Sequence, residues 1–139
     1  MTDSTKSLDA EQAKAFAERW LPAWTGNDPG LLASFYSEDA FYLDPGVPNG
    51  IHGKPALISY FGKLLAYNPD WLWSQIEGIP MEGGFLNKWL AKIPVGEKTL
   101  EIVGVCLVQL DAAGKIRRNE VYFDRHALLS EIEKHRTGA

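Results

Sequence analysis

The chain has 139 residues, 45% apolar and 12% aromatic, with 14 basic against 18 acidic residues and a net charge of −4. That is one domain's length with enough apolar side chain to close a core, and its acidic balance argues against nucleic acid or an anionic membrane surface as partner. A lone cysteine, Cys106, excludes an internal disulfide, and His52, His126 and His135 fall in separate segments, so no metal-ligand spacing is present. The opening Met1-Thr2-Asp3-Ser4-Thr5-Lys6-Ser7 is polar, and no run nears the roughly 18 apolar residues of a membrane span. A cytoplasmic protein is expected.

The first helix starts at Asp9, with Gln12 three residues on as capping-box partner. Ala13, Phe16, Ala17, Trp20 and Trp24 recur at helical spacing, and Pro22 forces a kink or an early end. Asn27-Asp28-Pro29 then caps a second, short helix that carries Leu31, Leu32 and Phe35 inward. A strand follows and ends at Asp44, then a loop from Pro45 to Gly53 rich in Gly and Pro. Pro55 opens a third helix, with Leu57, Ile58, Phe61, Leu64 and Leu65 as its apolar stripe, which stops before Pro69. Trp71 to Glu77, Phe85 to Ile93, Thr99 to Leu110 and Lys115 to Phe123 read as strands separated by Gly-bearing turns, hence an antiparallel meander. A last helix covers Arg125 to His135, with Asp124 as its N-cap. This order predicts a single α+β domain over 1–139, its core spanning about 9–135 with a few frayed residues at each end.

Two features of this layout bear on function. Alternation along the strand Ala40-Phe41-Tyr42-Leu43-Asp44 puts Tyr42 and Asp44 on one face, so a phenol and a carboxylate project together. In an apolar surround the charged carboxylate is disfavoured, which suits a general base; a turn at Asp44-Pro45-Gly46 explains the same residues without chemistry. The strand Thr99 to Leu110 is apolar on both faces, with Val103, Val105 and Leu107 on the second. No helix remains to cover that face, so a homodimer through the sheet is expected, with Glu101, Glu120 and Tyr122 on the dimer side.

The stretches Leu31-Leu32-Ala33-Ser34-Phe35-Tyr36-Ser37-Glu38-Asp39-Ala40, Gly53-Lys54-Pro55-Ala56-Leu57-Ile58, Lys88-Trp89, and Gly114-Lys115-Ile116 followed by Val121-Tyr122-Phe123-Asp124 carry a resemblance. Over roughly Ala10 to Leu129 the chain resembles the SnoaL-like (polyketide-cyclase-like) branch of the nuclear-transport-factor-2-like superfamily. The resemblance implies a cystatin-like α+β roll, a cone of helices closed by a curved antiparallel sheet around an apolar pocket. Its members include isomerases, dehydratases, epoxide hydrolases, cyclases and proteins without catalysis, so the fold leaves the chemistry open.

Particular residues narrow it. Asp44-Pro45-Gly46-Val47 stands where ketosteroid isomerases carry their catalytic aspartate, while Trp20, with one N–H donor, and Cys106, with a weak one, stand in place of their two strong oxyanion donors. Tyr42-Leu43-Asp44 stands where limonene-type epoxide hydrolases hold the attacking water, but Val121 takes the place of their catalytic aspartate. Where polyketide cyclases place an acid/base group, the pocket face offers Asn119, Val121 and Phe123.

The expectation is therefore a cofactor-free enzyme, without metal, acting on a small hydrophobic molecule as an isomerase, cyclase, lyase or hydrolase. Asp44 is its base, Tyr42 its hydrogen-bond donor, and His52 either a second proton carrier or a residue packed beside Gly53. Trp20, Phe61, Trp89, Cys106, Asn119, Val121 and Phe123 form the pocket wall. The rival reading is a non-catalytic small-molecule-binding domain in which Asp44 only orients a loop.

Overall fold

The computed structural model describes residues 5–6 and 8–137. Helix α1 (Ala10–Trp20) begins as its sequence predicts. The Asp9 carboxylate accepts from Gln12 N at 2.8 Å and the Gln12 side chain accepts from Asp9 N at 3.0 Å, satisfying two otherwise orphaned donors. Ala13, Phe16, Ala17 and Trp20 form its buried face. Pro22 cannot continue the helix, and the chain tightens into a 3-10 turn over Leu21–Trp24. Asp28 caps α2 (Pro29–Ala33) by accepting from Leu31 N at 3.1 Å. One and a half turns present a single narrow face, which Leu32 and Ala33 take. Leu31, expected inside, points outward and is exposed, and Phe35 is half-buried.

Strand β2 (Tyr36–Leu43) leads to Asp44, and the expected loop after it contains a short strand, β3 (Ile51–His52), which folds back antiparallel on β2 with His52 opposite Phe41. Gly50 is required here. It adopts a φ of +86°, and a Cβ on it would overlap the Phe41 ring. Helix α3 (Lys54–Tyr67) buries Leu57, Phe61 and Leu65, while Ile58, counted in its apolar stripe, lies on the exposed flank.

The four strands β4 (Leu72–Met81), β5 (Gly84–Val95), β6 (Lys98–Asp111) and β7 (Ile116–Tyr122) form the expected antiparallel meander. Strand β2 joins it in parallel beside β7, giving the order β3-β2-β7-β6-β5-β4 in a curved, unclosed sheet. β4 runs four residues past its expected end, through Pro80. That proline is tolerated because β4 is an edge strand. At the N-terminus, residues expected to fray include β1 (Thr5–Lys6), which pairs with Asp111 and Leu110 of β6. Helix α4 (His126–Thr137) is the last described element; Arg125 takes its N-cap position, its carbonyl accepting from Leu129 N at 2.9 Å, and Asp124, the expected cap, lies one residue earlier and accepts from His126 N at 2.9 Å.

The period of two then sorts every side chain on the sheet. Phe85, Asn87, Trp89, Ala91 and Ile93 of β5 and Gly104, Cys106, Val108 and Leu110 of β6 face the helices and are buried. Val103, Val105 and Leu107 face the other way, partly or largely exposed. Among the described residues, no helix is long and apolar enough to cross a membrane.

Candidate functional site

Helices and sheet enclose a cavity of about 250 Å³ whose wall is aromatic. All five tryptophans of the chain line it: Trp20 from α1, Trp24 from the 3-10 turn, Trp71 just before β4, Trp73 near its start, and Trp89 from β5. They interlock, Trp24 and Trp73 tilted with ring centroids 6.0 Å apart and Trp73 and Trp89 edge to face at 5.0 Å. Val121 and Phe123 close the sheet side. Leu128, Leu129 and Ile132 of α4 close the other.

Asp44 sits in this wall, 7% exposed. Its surround is not the apolar one expected from the sequence. Oδ2 accepts from Tyr42 Oη at 2.7 Å and Tyr60 Oη at 2.8 Å, while Oδ1 accepts from Gly46 N at 2.7 Å and Val47 N at 3.2 Å, with Tyr60 Oη 3.0 Å away. The Asp-Pro-Gly turn and the two phenols thus act together. The turn folds its amides onto one oxygen, and the phenols meet the other. The turn and site readings of Asp44 are therefore compatible.

Both phenols are held in their protonated form. Burial raises the Tyr42 hydroxyl well above its ordinary value, and the negative charge of Asp44 adds to the effect. The Tyr60 hydroxyl is raised by the same two causes, against a smaller opposing influence from the Arg125 guanidinium. Tyr42 is fixed from behind by Phe61, 5.3 Å away at a near-perpendicular 85°. Cys106 faces the cavity as a neutral thiol, its pKa pushed up to about 12 by burial, so thiolate nucleophilicity is not on offer near neutral pH. Among the described residues, no group of three or more His, Cys, Asp or Glu is placed to hold a metal ion.

Of the residues named from sequence, Asp44, Tyr42, Trp20, Trp89, Cys106, Val121 and Phe123 meet at the cavity. Three do not line it. His52 lies exposed on β3, because the strand pairing that the sequence reading missed turns it away. Phe61 is fully buried one layer behind Tyr42. Asn119 is fully buried as well, its side chain accepting from Tyr36 Oη at 2.9 Å and donating to Leu107 O at 3.2 Å. The reading also missed Tyr60, Arg125 and the apolar face of α4. Tyr60 had a detectable signal, since it lies three residues after Leu57 and four before Leu64 on the face of α3 turned inward.

The comparisons agree with this fold. The SnoaL-like domain family matches residues 17–119, and the chain belongs to that family. Its fold is that of the nuclear-transport-factor-2-like proteins, shared with solved structures at low sequence identity. A Shewanella putrefaciens protein assigned as a SnoaL-like polyketide cyclase is 14% identical, with a TM-score of 0.73 over 88% of this chain and 86% of that one. A Catenulispora acidiphila protein with a ketosteroid isomerase-like fold, in complex with trimethylamine, is also 14% identical, with a TM-score of 0.71 over 84% and 90%. A nuclear-transport-factor-2-like protein from an Exiguobacterium species is 18% identical, with a TM-score of 0.64 over 77% and 96%. No curated protein matches the sequence significantly.

Proposed function

We propose that the chain binds a small, largely apolar molecule in the tryptophan-lined cavity and moves a proton on it without a cofactor. Asp44 is the base, and Tyr42 and Tyr60 are its paired donors. The observation that carries this reading is the convergence of two buried or half-buried phenols on one carboxylate in the wall of an aromatic cavity. An arriving polar group can take the place of Tyr60 at the carboxylate. The freed hydroxyl can then donate to the ligand, which gives the site both an acceptor and a donor. His52, exposed and outside the cavity wall, has no part in this scheme.

A second reading, ligand binding without catalysis, draws on one observation. Four donors already occupy the Asp44 oxygens, which leaves little room for a proton from a ligand. One experiment separates the two. Asp44→Asn and wild type are titrated with a panel of apolar ketones, epoxides and polycyclic aromatics, following tryptophan emission for binding and chromatography for conversion. Conversion by wild type alone, with binding retained in the variant, supports the base. Binding by both with conversion by neither leaves the binding domain.

The outer sheet face is the proposed seat of a homodimer, because Val103, Val105 and Leu107 have no helix over them.

A further inference from the structure

The cavity wall carries two charged residues, Asp44 and Arg125, and they differ in how their charge is met. Asp44 accepts from two phenols and two backbone amides. The guanidinium of Arg125, a half-buried residue at the junction of β7 and α4, makes no ion pair and no hydrogen bond among the described residues. It is nevertheless at the site. Arg125 Nη1, Tyr60 Oη and Asp44 Oδ1 lie 3.7, 3.2 and 3.1 Å from the point that a Gly46 Cβ would occupy. The absence of a side chain at Gly46 therefore lets a guanidinium, a phenol and the Asp44 carboxylate draw close around one point, where a Cβ would be crowded.

A planar guanidinium with unmet N–H groups beside an aromatic cavity is built to hold a carboxylate, by charge and by two-pronged hydrogen bonding. Resting on the reading of the cavity as a ligand site, we infer that its ligand class is an apolar molecule with an acidic head group, the carboxylate held by Arg125 and the body among the tryptophans. The negative charge of Asp44 opposes such a ligand, the four donors on its oxygens temper that opposition, and direct contact with Arg125 supplies the attraction.

Calorimetry with 4-phenylbutanoate, its neutral amide 4-phenylbutanamide and 4-phenylbutylamine tests this. Wild type is expected to bind the acid at least about ten-fold more tightly than the amide at pH 7.5, and the preference should shrink with added salt. Arg125→Gln should bring acid and amide to similar affinity, with circular dichroism confirming that it folds. Amide binding with no preference for the acid, or tighter binding of the amine, overturns the inference and leaves the ligand-site reading intact. Failure of wild type to bind any of the three counts against both.

Discussion

At the scale of single residues, the site rests on how buried polar groups are satisfied. A carboxylate that is 7% exposed persists because four donors meet its oxygens, and a buried phenol persists because a carboxylate accepts from it. Cys106 has weaker support, a contact from Asn87 Nδ2 at 3.7 Å, and its thiol is raised from 9.0 to about 12. The consequence for stability follows from proton linkage. The folded state keeps the proton on Cys106 where the unfolded state releases it, so its contribution is fully present below pH 9 and is lost as pH rises toward 12. Tyr36 and Tyr42, raised by burial, act in the same direction at higher pH. Denaturant melts at pH 7, 8, 9 and 10.5 should agree at the first two and show falling stability thereafter, with Cys106→Ala losing less between 9 and 10.5. A flat profile to pH 10.5 would refute this.

Elements are placed by local signals that the fold then uses. The capping box at Asp9 starts α1 so that Trp20 arrives at the cavity, and Pro22 ends the helix so that Trp24 can turn toward Tyr42 and Phe61, 6.0 and 5.4 Å away. Both ends are short-range effects, which is why the sequence showed them. Removing the cap in Asp9→Ala should lower stability by about 1 kcal/mol, as measured by urea unfolding, and leave ligand binding unaltered. An effect below a few tenths would mean that tertiary packing alone holds the helix. Strand β3 illustrates the opposite case. Two residues, too few to carry a periodic signal, become a strand because β2 is there to pair with, and this pairing turns His52 outward.

For the whole molecule, the two faces of the sheet divide the work. One face carries the cavity and the other carries Val103, 52% exposed, and Tyr122, 50% exposed, flanking the half-covered Val105. The Arg118–Glu120 ion pair adds charge to this second face. If a second copy covers it, Val103→Glu places a charge in an apolar contact, and light scattering should report a dimeric wild type and a monomeric variant. A monomeric wild type would refute the dimer.

The helix starts, the meander, the alternation that pairs Tyr42 with Asp44 and the family itself were all legible in the chain, because each rests on spacing within a dozen residues or on contiguous motifs. The cavity was only partly so. Tyr60, Arg125, the α4 wall and the true positions of His52, Phe61 and Asn119 depend on which segments meet across the fold. Periodicity tells which face of an element is buried, but not whether that face meets a neighbour or a cavity. Trp20 and Phe61 shared the same sequence signature. Only tertiary packing set one in the wall and the other in the layer behind it.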